Sequence, residues 1–424
     1  MILAANGRRL AVLAAAAAAG IAPAAAQFVE PDVSVLYTLT SDQPGDGFGF
    51  VAEAIGDLDG DGASEIAIGA PRNSSGGPQA GKVFVHSGRD GSLLHTVAGA
   101  PFNRLGHGVT GLGDVDADGV PDYAVSGPGS FGGPFPQLGR VMMISGATHS
   151  VLADRSGPSH FSFFGYDIGR AGDVDQDGRP DLIVGAPFHS AAGQFSGSIH
   201  LISGRDGSTL RTHPGSGPQV FFGTGVSRVA DQDGDGRDEH AVGASGGGTF
   251  RTGEAYILSG SDGSIQRVLK AKQQTGFAFG DFFVHDAGDI DADGKGDIYV
   301  GDYADANGAG LGYVFYGGRD DRRLFPPESA TDGLGPGRGA GDVDGDGHDD
   351  LVIAAFTSGA GAPGAGKMFV FSGRNGKVIR TMTGTAAGEL LGFDALAVGD
   401  VNGDGRIDFL ITGTTTAHLI LGNP

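Results

Sequence analysis

Short apolar runs alternate with polar, glycine-rich breaks from Phe48 to the end of the chain, and no window carries a sustained helical period. The stretch after Phe164-Gly165 is representative. A small-residue run from Tyr166 to Ala171, holding Gly169 and Ala171, predicts a first strand, and Leu182-Ile183-Val184 a buried second one. Ser198 to Ile202 alternates as a third. Ser203-Gly204-Arg205-Asp206-Gly207 then supplies a turn with glycine where φ must be positive, and Ser208 to Thr212 a fourth strand. Four short antiparallel strands in succession describe one blade of a β-propeller. The turn recurs at Arg89-Asp90-Gly91, Ser261-Asp262-Gly263 and Arg374-Asn375-Gly376. Third strands are predicted again at Val83 to Val85, Tyr256 to Leu258, Val314 to Tyr316 and Phe369 to Phe371. First strands keep small residues, as in Gly108 to Gly113 and Gly225 to Val229, which suits strands converging on a narrow axis.

Between the first and second strands of every unit stands an acidic loop. These loops begin at Asp57, Asp114, Asp173, Asp231, Asp289, Asp342 and Asp400, a period in the range of stacked or radial repeats. The ends indicate how the ring closes. The last unit has a second strand at Phe409 to Ile411, a third at Leu419 to Leu421, and no fourth. A lone strand-like segment, Ser34 to Leu39, precedes the first unit and would complete the last blade, protecting its edges. The expected fold is all-β, a seven-bladed propeller of four-stranded antiparallel blades occupying residues 27–424 as a single domain.

The same loops carry the candidate chemistry. Loop positions 1, 3, 5 and 9 are Asp57, Asp59, Asp61 and Glu65 in the first copy, and Asp114, Asp116, Asp118 and Asp122 in the second. The third and fourth hold Asp173, Asp175, Asp177, Asp181 and Asp231, Asp233, Asp235, Glu239. The fifth and sixth hold Asp289, Asp291, Asp293, Asp297 and Asp342, Asp344, Asp346, Asp350. The seventh has Asp400, Asn402, Asp404 and Asp408, one charge fewer and so the weakest site by charge count. Glycine fills position 6 throughout, where the chain must turn sharply. Alternating carboxylates around such a turn match the oxygen ligation of calcium, giving up to seven Ca²⁺ sites; magnesium fits less well because it demands rigid octahedra and keeps its waters. A helical EF-hand would need Glu at position 12, but Ile68, Val125, Val184, Val242, Val300, Ile353 and Ile411 stand there, all β-branched and suited to a buried strand. The plainer reading, that these are only good turns, would suit one copy better than seven.

Composition narrows the function. The formal charge is −22, and 27 of the 50 acidic residues sit in the loops, so acidity is mainly a metal-site signature and opposes nucleic-acid binding. Residues 1–26 read as a secretory signal: Arg8-Arg9, an apolar run from Leu10 to Ala19, and Ala24-Ala25-Ala26 before Gln27. The arginine pair leaves twin-arginine export open. The expectation is a secreted, periplasmic or cell-surface protein, without membrane insertion and monomeric. Zero cysteines exclude disulfides and thiolate chemistry.

Phe48-Gly49, the loop at Asp57, and Gly69-Ala70-Pro71 together resemble an FG-GAP repeat, the blade unit of integrin α-chain heads and of many bacterial secreted proteins. Phe164-Gly165 with Gly185-Ala186-Pro187 is an equally full match, and the repeats start near residues 48, 105, 164, 222, 279, 334 and 391. Leu105, Leu334 and Leu391 replace the phenylalanine, and altered spacing between the FG position and the acidic loop predicts irregular first strands in blades five and six. The resemblance implies calcium loops on a lower rim, with partners meeting the upper face built by the loops between strands 2 and 3 and between strands 4 and 1.

The leading functional expectation is therefore a non-catalytic binding or adhesion module for a protein or glycan ligand. Upper-face candidates are Phe131, Phe135, Phe188, His189, Phe195, Phe250, Arg251, Tyr303 and Phe356. The absence of Trp weakens a sugar platform. A calcium-dependent propeller enzyme, lyase or phosphodiester hydrolase, is the alternative, but the 12 histidines form no catalytic motif. His240 and His348, in the acidic loops, are expected to be solvated or to have raised pKa values. A scaffold subunit is the third reading, and Asn73-Ser74-Ser75 matches a glycosylation sequon.

Overall fold

The computed structural model describes residues 28–130, 138–248, 251–272 and 278–422. Seven four-stranded antiparallel sheets follow one another, each in simple sequential order except the last. Blade three is built from Ile168–Gly172, Asp181–Gly185, Ser198–Ile202 and Thr209–Pro214, close to the ranges expected from sequence. In the seventh sheet Val35–Thr40 pairs with Thr416–Ile420 and supplies the missing outer strand. A single 3₁₀ turn, Asp305–Asn307, is the one helical element among the described residues. The third strand of blade five starts and ends earlier than its apolar residues imply, at Leu311–Phe315, leaving Tyr316 in the turn.

Burial follows strand order. Second strands are buried along their whole length because both faces meet neighbouring sheets, whereas outer strands such as Leu93–Ala98 are largely exposed. The core is therefore a ring of inter-blade layers. The layer joining the chain ends collects Leu39, Phe48, Ile66 and Ile68 against Leu410 and Leu419. The phenylalanine of each full FG dipeptide packs edge-on against the third strand of its own blade, as in Phe48–Phe84 and Phe222–Tyr256, with centroids 5.4 and 5.6 Å apart. Leu105, Leu334 and Leu391 are fully buried in the same layers.

Small residues at the axis have the expected cause. A Cβ on Gly339 of blade six would stand 2.7 Å from the Ala287 backbone of blade five. The irregular first strands, however, are not confined to blades five and six. Register shifts occur just before the acidic loop at Gly113, Gly172, Gly288, Gly341 and Gly399. Each of these glycines is left-handed, so in these five blades a bulge turns the first strand into the loop. Blade four departs from register as well, between Phe222 and Val226.

Candidate metal loops and the opposite face

Each acidic loop is wound on its own carboxylates. In blade three, Asp173 Oδ1 accepts from the Asp177 amide at 3.0 Å and its Oδ2 from the Gly178 amide at 2.9 Å. Asp175 accepts from the Asp177 amide at 3.1 Å, and Asp177 from the Arg179 amide at 3.0 Å. Asp181 is fully buried: Oδ2 accepts from the Val174 amide at 2.8 Å and Oδ1 from the Gly204 amide at 2.9 Å. The ninth residue thus clamps the loop to the turn between strands three and four. Asp122, Asp297, Asp350 and Asp408 repeat the clamp onto Gly146, Gly317, Gly373 and Gly422.

The two glutamates behave differently. Glu65 Oε2 accepts from the Leu58 amide, while its fully buried Oε1 has no hydrogen-bond partner. In blade four, Glu239 Oε2 accepts from the Gln232 amide at 2.6 Å, and its other oxygen lies 3.5 Å from Gln266 Nε2. One extra methylene changes what the loop can gather. Asp57, Asp59, Asp61 and Glu65 bring one oxygen each within 4.8 Å of one another, as do Asp231, Asp233, Asp235 and Glu239. The corresponding sets in blades two, three and five are of three: Asp114–Asp116–Asp122, Asp173–Asp175–Asp181 and Asp289–Asp291–Asp297. In blade seven the Asn402 amide donates to Asp404 Oδ2 at 3.1 Å. In blade six Asp342 accepts from the Asp346 and Gly347 amides, both at 2.9 Å, and Asp346 from the His348 amide at 3.1 Å. Burial raises the Asp350 carboxyl, and the neighbouring Asp344 adds to the rise.

Electrostatics favour a cation at these loops. Burial pushes Glu65, Glu239 and Asp297 up to about 7 and Asp181 to about 6, with the neighbouring aspartates adding to the rise. Partial neutralisation comes from arginines of the same blade's outer turn. Arg89 lies 3.1 Å from Asp61 and Arg205 3.9 Å from Asp177, while Arg319 pairs with Asp291. An unpartnered buried oxygen beside three further carboxylates is the arrangement a hard divalent cation relieves, so the residues fit such an ion. His240 departs from expectation. It is buried in the second strand of blade four, bonded through Nε2 to Ala171 O at 3.0 Å, and burial pushes it down to about 4.

The loops are also coupled around the ring. Arg179 Nη1 donates to Val115 O of the preceding loop at 2.5 Å, and Arg237 Nη1 to Val174 O at 2.6 Å. His348 Nδ1 lies 2.9 Å from Ile290 O. A second set of fasteners escaped sequence reading. Arg155, Arg211, Arg267, Arg323 and Arg380, all on outer strands, bond to backbone carbonyls at the next blade's outer turn or its counterpart. Their regular spacing was the available signal, hidden because arginine on an exposed strand looks merely solvated.

On the opposite face, aromatic residues from five blades meet at the axis. Phe50 and His107 lie 4.7 Å apart, His107 and Tyr166 5.1 Å, Tyr166 and Phe282 4.7 Å, and Phe50 and Phe393 5.8 Å. At the axis too, Arg338 bridges Glu53 and Asp394, both at 2.7 Å. The candidate contacts on this face divide. Phe188, Tyr303 and Phe356 are buried, with Phe188 packed on Phe163, Phe195 and Phe221, and Tyr303 donating to Asp281 at 3.3 Å. His189 Nδ1 lies 2.9 Å from Ser198 Oγ, and Arg251 donates to Gln219. Phe131, Phe135 and Phe250 lie outside the described residues, as does the expected signal at 1–26. Phe161, 48% exposed, is a large apolar side chain in the connection between blades two and three that sequence reading passed over. Asn73 is fully buried and its Nδ2 donates to Asp42 and Asp46, so the sequon offers no accessible acceptor.

Comparison with known proteins agrees with this geometry. The FG-GAP repeat family matches residues 51–86 and 164–202, and the FG-GAP-like repeat family matches 342–411. Integrin alpha-5 of Xenopus laevis is 35% identical over 172 residues, covering 37% of this chain and 16% of that protein. Integrin alpha pat-2 of Caenorhabditis briggsae is 28% identical over 234 residues, covering 49% of this chain and 18% of that protein. The chain thus corresponds to less than a fifth of these relatives' length. Among solved structures, BBS1N in complex with ARL6DN superposes with a TM-score of 0.54 at 10% identity, covering 92% of this chain and 96% of that one, a likeness of fold alone. The chain thus carries FG-GAP repeats in a seven-bladed, integrin-α-like propeller closed by its N-terminal strand.

Proposed function

We propose that the protein is a secreted, calcium-loaded propeller that binds a protein ligand through its upper face and catalyses no reaction. One observation carries the choice of face. The residue before each FG position is left-handed in most blades, and while Gly47 and Gly333 adopt this freely, Arg104, Phe163, Phe221 and Leu390 do so at φ 57, 53, 55 and 57°. A bulky residue there costs of order 1–3 kcal/mol, and such strain clusters at ligand clamps. Four blades keep a side chain where glycine would be easier. Calcium on the lower rim would then stiffen the loops that fasten blade to blade, holding the upper loops in register. Integrin α relatives support a protein ligand in general terms, with a glycan as the alternative.

The test is a screen of the purified protein against secreted and surface proteins and a glycan array, in millimolar calcium and in EDTA. Calcium-dependent capture, lost on changing upper-face residues, is the expected result. A folded protein that captures nothing in either condition would overturn the reading.

A further inference from the structure

Arg104 stands in the connection between blades one and two, immediately before Leu105-Gly106, with its amide donating to Gln79 O at 3.0 Å. The residue is only 9% exposed, and its Nε has no hydrogen-bond partner. No carboxylate among the described residues pairs with it, and every Asp and Glu of the chain falls within those residues. Its charged neighbour is another cation, Arg72, which follows Gly69-Ala70-Pro71; burial first and Arg72 second hold Arg104 down to about 10. The nearby acids are engaged elsewhere. Asp46 accepts from the Phe48 amide at 3.0 Å and Asn73 at 2.7 Å, and Asp42 from Lys82 at 2.6 Å.

The repeat provides an internal control. Between blades three and four the same two positions hold Phe188 and Phe221, whose rings pack with centroids 5.3 Å apart. The fold is satisfied there by an apolar pair. Between blades one and two it holds two guanidiniums in a chain of net charge −22, with Arg104 buried and left-handed at φ 57°. Burying a cation without a counter-charge is costly.

We infer that Arg104, with Arg72 beside it, forms an anion pocket on the upper face that receives a carboxylate side chain of a protein ligand. The planar guanidinium matches a carboxylate bidentately. A side chain is favoured over a sugar acid because Tyr166, the aromatic neighbour of Arg104, is itself buried and the chain has no Trp to offer a stacking platform. This assignment rests on the upper-face reading above and gives that face a chemistry.

The experiment compares N-acetyl-glutamate amide, its glutamine counterpart and D-glucuronate by NMR titration of the calcium-loaded protein and of Arg104→Phe, the residue of blade four. We expect the glutamate probe to bind at least tenfold more tightly than the glutamine probe, and the variant to lose the preference while melting at the same temperature or higher. Should Arg104→Phe fold poorly, Arg104→Leu, which matches Leu390 at the equivalent position of blade seven, serves instead. Equal binding of the glutamate and glutamine probes, or an undiminished preference in the variant, overturns the pocket. Tighter binding of glucuronate than of glutamate overturns the protein side chain as its occupant. Partner capture that survives Arg104→Phe would sink the pocket and leave the binding-module reading standing.

Discussion

Thr38 Oγ1 lies 2.9 Å from His418 Nδ1, a hydrogen bond between residues 380 apart that joins the outer strand of blade seven to the strand inside it. His418 is fully buried and its Nε2 lies 3.3 Å from Glu389 Oε1 and 3.1 Å from Thr416 Oγ1. Ring closure is thus made by a polar relay as well as by backbone pairing.

Removing residues 28–40 should therefore open blade seven, leave Thr416–Ile420 as an unprotected edge, and cause association. Size-exclusion chromatography and calorimetry of the truncated chain would check this. A monomer with an unchanged melting temperature would contradict it. Glu30 makes a subtler version of the same test. It accepts from Thr381 Oγ1 at 2.8 Å and from the Thr383 amide and hydroxyl at 2.7 Å, so Glu30→Ala is expected to cost about 1–3 kcal/mol in urea denaturation.

Calcium binding should weaken as pH falls through about 7, because Glu65, Glu239 and Asp297 must lose protons to act as ligands and burial has raised their pKa values to about 7. The linkage sign in the metal-free protein is the reverse of the usual acid case. Between their unfolded values, 4.5 for the glutamates and 3.8 for Asp297, and the folded values near 7 these groups bind more protons when folded, so stability declines as pH rises. EDTA-treated protein should accordingly melt at a higher temperature at pH 5.5 than at pH 8, and calcium should raise the pH 8 melt above both. Parallel melts with and without chelator are the measurement.

The loops should fill in two classes. Blades one and four gather four carboxylates where blades two, three and five gather three, so calorimetric titration should show two tighter equivalents followed by weaker ones. Glu65→Asp should regain the amide clamp, on Gly88, and lose one tight equivalent. A single class of identical sites would refute the distinction.

Arg211 Nη2 donates to Ser261 O at 2.7 Å across the boundary between blades three and four. Arg211→Ala removes one such fastener from a partly exposed position, and a loss of about 0.5–1.5 kcal/mol is expected in denaturant unfolding. The equivalent change at exposed Arg205, whose carboxylate contact is 3.9 Å long, should cost less than half as much.

Period and local chemistry determined the seven blades, the acidic loops and the closing strand, because each is written within a few consecutive residues: a left-handed glycine, alternating acids, a β-branched buried strand. Relations between blades were decided only in three dimensions. That Glu65 leaves an oxygen unpartnered while Asp181 clamps both of its own depends on one methylene set against a turn some twenty residues away. That Phe188 and Tyr303 pack inward, and that Arg104 is buried beside Arg72 where Phe221 meets Phe188, depends on which loop tips the ring brings together. Local motifs fix backbone shape over a few residues; burial and charge at a rim are properties of neighbours such as Arg72 and Arg104 or Phe188 and Phe221, far apart in sequence, and only the packing of blade against blade makes them neighbours.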